Sequence, residues 1–233
     1  MKNAYRTDEV RKMNAATTTT LAELAVKHPA ASRVFYRHGL DFCCHGNRPL
    51  DDACAELGLV SESVMAEIAS EDLFCGDRPR WEKHPLPELM AHIVNDYHRR
   101  LREEIPLLVE MAARVEKVHR EKDSCPAGLT LHLENIHRAV LDHLAKEETI
   151  LFPMIEEGRG SRAAAPIHVM EIEHEDHGEN LRRTRLLTAN LTPPAEACGT
   201  WKALYLRLAE FEAELMEHIH LENNILFRRA LCE

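Results

Sequence analysis

Aromatic residues are scarce in this chain, at 5% of its 233 residues, and so is glycine, with 9. Sandwiches and barrels lean on both, so their scarcity disfavours those folds. No apolar run approaches the ~20 residues that span a bilayer. No basic run offsets a formal charge of −10, which argues against a nucleic-acid partner. The opening MKNAYRTDEV lacks the apolar stretch of a secretory leader. No Cys-x-x-Cys occurs, so no zinc knuckle is expected. The seven cysteines are an odd number, two adjacent and the rest scattered, which speaks against a disulfide framework. A reducing cytoplasm is the expected location, without membrane association.

Helix-forming Ala, Leu and Glu are plentiful, and 45% of the residues are hydrophobic, enough for a packed core. The expected fold is all-α: a small N-terminal helical domain over 1–78, then an antiparallel four-helix bundle over 79–233. In the first part, TLAE reads as a capping box with Thr20 as N-cap and Glu23 three positions on. Pro29 punctuates the helices that follow, and Gly39 and Gly58 read as C-terminal caps. DFCCHGN falls in the loop between Gly39 and Pro49, and CGDRPRWEKHPLP reads as a linker. Four long helical patterns come next, near 86–118, 127–156, 163–189 and 195–229, parted by breakers such as DSCPAG and NLTPPAEACGT. Short connections between long helices imply an up-down bundle. Pro106 is expected to kink the first of them.

Two of these helices carry the same phrase, HLAKEETILF and HIHLENNILF: His, three residues, Glu, two residues, Ile-Leu-Phe. Residues four apart share a helix face. His143 and Glu147 are expected on one face with Ile136, Val140, Ile150 and Leu151. His218 and Glu222 are expected with Phe211, Leu215, Ile225 and Leu226. On the other helices, His98 shares a face with Ala91, Val94, Leu101 and Ile105, and His174 with Ile167, Met170 and Leu181. His143 follows His98 by 45 residues, and His218 follows His174 by 44. The bundle therefore reads as two copies of one helical hairpin, converging four imidazoles and two carboxylates on its interior.

Buried carboxylates beside buried imidazoles are costly unless a cation sits among them. Two metals satisfy a duplicated set if each takes two His and both Glu bridge. A bridging oxo or hydroxo group raises the coordination to five and leaves a position for a small molecule. Such ligation suits redox iron, although spacing alone also admits manganese or zinc. His220, His92 and His137 lie off the ligand faces. His177, three residues from His174, reads as an ordinary histidine, with support of a ligand as the alternative.

On these residues the C-terminal part resembles the hemerythrin-like domain. Nearly the whole chain resembles the repair-of-iron-centres family, the di-iron proteins of the ScdA and YtfE type. DFCCHGN is similar to the double-cysteine loop of that family's N-terminal domain, and DYH, HLAKEETILFPMIEEG, EIEHED and HIHLENNILF to its successive ligand motifs. The resemblance implies a non-haem di-iron site on His98, His143, Glu147, His174, His218 and Glu222. It also implies restoration of iron–sulfur clusters damaged by nitric oxide or peroxide, with damaged iron–sulfur proteins as partners. The chain departs from the pattern twice. Oxygen-carrying hemerythrins have a second His four residues after the third-helix ligand, where this chain has Gly178. Many relatives have Gly after the cysteine pair, where this chain has His45.

Adjacent loop cysteines rarely serve packing. Cys43 and Cys44 are expected to take part in iron or thiol transfer, with Asp41 and His45 tuning them in opposite directions. Cys54, Cys75, Cys125, Cys198 and Cys232 read as bystanders. The leading function is iron mobilisation for cluster repair, with nitric oxide reduction as an accompanying activity. The alternative is an oxygen or nitric oxide binding and sensing protein built on the same site. The sequence leaves open whether the chain forms a homodimer.

Overall fold

The computed structural model describes residues 19–73 and 79–232. The opening MKNAYRTDEV and Cys75 lie outside the described residues. Apart from an isolated bridge between Thr20 and Pro49, the regular structure among the described residues is helical. Contacts divide the chain into two compact units. One runs up to His84 and includes Ile219–Ile225; the other comprises Pro85–His218 and the residues from Leu226 onward.

In the first unit, α1 (Leu21–Lys27), α2 (Ala31–His38), α3 (Leu50–Glu56) and α4 (Ser61–Asp72) bury Leu21, Leu24, Phe35, Leu50 and Ile68. The capping box is present. Thr20 Oγ1 accepts from the Glu23 amide at 3.2 Å, and Glu23 accepts from the Thr20 amide at 3.3 Å. Other N-terminal amides of α1 are satisfied from the loop, with Ala22 N–H donating to Gly46 O at 2.8 Å and Leu21 N–H to Arg48 O at 3.0 Å. Gly46 is obligatory there, since a Cβ would stand 2.4 Å from Phe42 O and 2.9 Å from Ala22 Cβ. Gly39 ends α2 in the left-handed region, with φ at 70°. The first-unit loop also touches the segment Ile219–Ile225. Asn224 Nδ2 donates to Phe42 O at 3.0 Å and Asn223 Nδ2 to Cys43 O at 3.0 Å.

Four rods follow along the chain, the last of them running through the segment Ile219–Ile225 of the first unit. The first is α5 (Leu86–His92), a π-helical turn Ile93–His98 and α6 (Arg99–His119), which runs on through Pro106. The second is α7 (Leu129–Lys146), a π turn Glu147–Leu151 and α8 (Phe152–Glu156). The third is α9 (Ala164–Leu187), a regular helix throughout. The fourth is α10 (Gly199–Leu221), a π turn Glu222–Leu226 and α11 (Phe227–Ala230). Leu101, Ile105, Leu133, Val140, Trp201 and Leu208 are among their buried side chains. Each such side chain contributes about 1.5–3 kcal/mol by leaving water.

The π turns of the first and second rods correct the expected faces, whereas in the fourth Phe211, Leu215, Ile225 and Leu226 are all buried as expected. A π turn adds one residue to a turn and rotates everything beyond it. Ile150, expected inward with His143, is 52% exposed, while Leu151 and Phe152 are buried. Ala91 is exposed and Val94 half-buried, and Met90 and Ile93 take their places inside. On α9, which lacks a π turn, Ile167, Met170 and Leu181 are all buried as expected.

Candidate metal centre

Each copy of the repeated phrase switches from α to π geometry at its Glu. The turns begin at Glu147 and Glu222, and the turn in the first rod ends at His98. Widening the helix there aims a carboxylate inward without disturbing the His four residues earlier. Glu147, Glu222, His98 and His174 are fully buried, and His143 and His218 almost so.

The six side chains form two groups of four: His98, Glu147, His218, Glu222, and His143, Glu147, His174, Glu222. Within each group the ligand atoms lie within 4.8 Å of one another. The imidazole pairs cross between hairpins. His98 Nε2 faces His218 Nε2 at 3.1 Å, and His143 Nε2 faces His174 Nε2 at 3.0 Å. Both carboxylates belong to both groups. One oxygen, Glu147 Oε2, stands 3.5 Å from His98 Nε2 and 3.5 Å from His143 Nε2.

These separations fit two metal ions. Two ligands at right angles on one ion, each about 2.1 Å away, stand about 3.0 Å apart. Both Nε2 pairs meet that distance. The donor set, imidazole nitrogen with carboxylate oxygen, suits iron, and the residues present accommodate a di-iron pair with Glu147 and Glu222 shared.

The surroundings fix the ring orientations. His98 Nδ1–H donates to Glu148 Oε1 at 2.7 Å, and His143 Nδ1–H to Glu173 Oε2 at 2.9 Å. A proton held on Nδ1 leaves Nε2 with its lone pair directed inward. Arg102 pairs with Glu148 at 2.9 Å and Lys146 with Glu173. Burial pushes the Glu148 carboxyl upward, but its hydrogen bonds from Arg102 and His98 outweigh this and hold it below the usual range. The Phe of each repeated phrase is also used. Phe152 stacks on His98 and Phe227 on His174, with centroids 5.8 and 5.9 Å apart. Tyr97 stacks on His218 at 5.7 Å.

His177 is buried and sets its ring edge-on to His143, 5.0 Å between centroids, and belongs to neither group. His220 is buried as well. It accepts from Asn224 Nδ2 at Nδ1, 2.9 Å, and meets the Phe42 ring. His92 pairs with Asp96, and His137 is half-buried. Sequence reasoning missed Glu148 and Glu173, each of which immediately follows or precedes a ligand. That adjacency was the only signal, because a carboxylate beside a ligand is otherwise an ordinary surface residue.

In the first unit, Asp41, Cys43 and Cys44 form a third group of potential ligands. The two sulfurs are 3.6 Å apart and not joined in a disulfide. Asp41 Oδ1 accepts from the Cys44 amide at 3.1 Å, and Asp41 Oδ2 pairs with His45 Nδ1 at 2.7 Å. Burial pushes the Asp41 carboxyl up, yet the bonds from His45 and the Cys44 amide leave it below the usual range. The Cys43 thiol is pushed well up by its contact with Cys44, its burial and the nearby Asp41. Of the other cysteines, Cys54 is buried, and Cys198 lies 3.2 Å from His119 Nε2.

Residues 89–230 match the model of the hemerythrin HHE cation binding domain, and residues 17–72 match ScdA_N, a domain of unknown function. The iron-sulfur cluster repair protein YtfE of Yersinia pseudotuberculosis serotype IB (strain PB1/+) is 46% identical over 212 residues, covering 91% of this chain and 96% of the relative. The protein of the same name from Musicola paradisiaca (strain Ech703) is 47% identical over the same shares.

Proposed function

The chain belongs to the hemerythrin-like family of iron–sulfur cluster repair proteins, and from that premise we propose that it restores clusters damaged by oxidative or nitrosative stress, using iron held in the bundle. The observation that carries this reading is the pair of four-residue groups sharing Glu147 and Glu222. When bound, the iron pair supplies redox chemistry and the metal to be donated. The protein's own part is to hold two carboxylates and four imidazole lone pairs in place. Glu148 and Glu173 retain the Nδ1 protons of His98 and His143, and Phe152 and Phe227 cover imidazole faces.

Cys43 and Cys44 are the proposed agents of transfer, because the acceptor offers sulfur whereas the bundle offers only nitrogen and oxygen. Damaged iron–sulfur proteins are the proposed partners, in the cytoplasm. No described helix is long and apolar enough to cross a membrane. The second reading is nitric oxide or oxygen binding or reduction at the same centre; Gly178, standing where oxygen-carrying hemerythrins have a further His, counts against the oxygen-carrier form of it.

The test is cluster recovery in a damaged iron–sulfur hydratase, using protein purified without oxygen and assayed for metal. Two irons per chain and recovery that depends on Glu147 support repair. A reversible oxygenated spectrum with no recovery would replace it by the carrier reading.

A further inference from the structure

We propose that Asp41, Cys43 and Cys44 form a second metal site, separate in its ligands from the bundle centre, which takes one thiophilic divalent cation such as ferrous iron through two thiolates and one carboxylate oxygen. As a waypoint for iron the site rests on the repair reading; as a binding site it does not.

The geometry is that of a tetrahedral fragment. Two thiolates on one tetrahedral ion, each about 2.3 Å from it, stand about 3.7 Å apart, and a carboxylate oxygen at about 2.1 Å stands about 3.6 Å from each sulfur. Cys43 Sγ and Cys44 Sγ are 3.6 Å apart, and Cys43 Sγ is 3.5 Å from Asp41 Oδ1. All three ligand atoms fall within 4.8 Å of one another. Neighbouring residues seldom direct both side chains to one point. Here the backbone is held for it: Asp41 Oδ1 accepts from the amides of Cys44 and His45, at 3.1 and 3.4 Å. From behind, Asn223 and Asn224, the two residues after Glu222, donate to the carbonyls of Cys43 and Phe42.

The carboxylate is oriented as metal-binding carboxylates are. Its other oxygen, Oδ2, takes a 2.7 Å hydrogen bond from His45. Cys43 is buried, whereas Asp41 and Cys44 are half-buried and His45 is exposed, so one side of the group is open to water and an ion can enter. Binding forms two metal–sulfur bonds, breaks two S–H bonds and releases two protons to water. The sulfur donors select iron, cobalt, zinc or cadmium over magnesium and calcium. Three protein ligands leave a fourth position, through which a thiolate of an acceptor can join the ion before the loop lets go.

Cobalt(II) is the probe. The iron-loaded full chain is titrated without oxygen, and the sulfur-to-cobalt charge-transfer band is followed. The bundle centre has no sulfur, so the band reports thiolate ligands only. We expect one cobalt per chain. Cys43→Ser/Cys44→Ser abolishes the band, His45→Gln weakens binding about tenfold, and Asp41→Asn weakens it more. Retained iron absorbance in each variant certifies the fold. X-ray absorption at the cobalt edge of the unmutated protein needs no variant and must show two sulfurs. No band, a band surviving the double substitution, unchanged affinity in Asp41→Asn, or fewer than two sulfurs overturns the site. Cluster recovery is read apart from this. Cobalt binding as described without recovery removes the repair reading and upholds the site, while recovery without thiolate-bound cobalt does the reverse.

Discussion

His98 and His218, 120 residues apart in the chain, face each other Nε2 to Nε2 at 3.1 Å in the bundle interior. Each comes from a different hairpin, and the same crossing joins His143 to His174. Neither hairpin alone therefore completes either group of four. A chain cut between the second and third rods is expected to hold no iron in either piece and to recover it when the pieces are mixed. Iron retained by one isolated hairpin would contradict the crossed arrangement.

The shared carboxylates set a rank order for iron loss. Glu147→Ala or Glu222→Ala opens both groups, whereas His177→Ala or His220→Ala opens neither. We expect the two Glu variants to lose most of their iron and the two His variants to keep most of it, as measured by metal analysis after gel filtration. Equal loss across all four would sink the assignment. In the metal-free protein, Glu147→Leu is expected to raise stability, since a buried carboxylate without its cation is a burden.

Glu148 and Glu173 act through the imidazoles they hold. Glu148→Gln and Glu173→Gln keep the shape but replace a charged acceptor by a neutral one. Iron affinity is expected to fall about 10–100-fold in each. Competition against a chelator measures it, and affinity equal to the parent protein would show that these carboxylates serve only the surface pairs with Arg102 and Lys146.

The π turns make a test on neighbouring residues. Ile150→Lys is expected to cost less than about 0.5 kcal/mol, because that side chain faces water. Leu151→Ala is expected to cost about 2–5 kcal/mol, the range for emptying a packed leucine site. Denaturant midpoints decide between this register and the unbroken α-helical one, in which Ile150 would be costly as well as Leu151.

That comparison marks how far the sequence could be read. The four rods, the capping box at Thr20 and the convergence of the six His and Glu side chains follow from periodicity and spacing. Periodicity loses its register at the π turns of the first and second rods, because composition does not signal the extra residue. Ala91, Val94 and Ile150 therefore lie off the face their spacing assigns, while Leu181 on the regular α9 lies on it. Spacing also revealed a duplicated hairpin but not that its imidazoles pair across the duplication, which is a property of packing. Asp41 is legible as a charge that tunes the cysteine pair, but the hydrogen bonds by which its oxygens hold the loop are not, since they depend on how the backbone folds.

His132 gives the protein an acid sensitivity separate from the metal. Its ring is buried, with Nε2 3.0 Å from Asn180 O and 3.1 Å from Thr184 Oγ1. Burial, aided by the charge of Arg183, lowers its affinity for a proton despite the raising effect of the Asn180 carbonyl. The unfolded chain protonates this residue near its ordinary value of about 6.5. Below that pH the unfolded state binds more protons than the folded one, so stability falls on acidification. The fall ends once the pH drops below the depressed folded value, where both states are protonated. His132→Gln removes the titration and retains a donor for Asn180 O. We expect its stability to decline less than the parent's between about pH 7.5 and about pH 5.5. Urea midpoints at the two pH values supply the comparison. Every other group is common to both proteins, so the difference between the two slopes isolates His132, and identical slopes would mean that its burial is relieved by water or by motion of the α9 backbone.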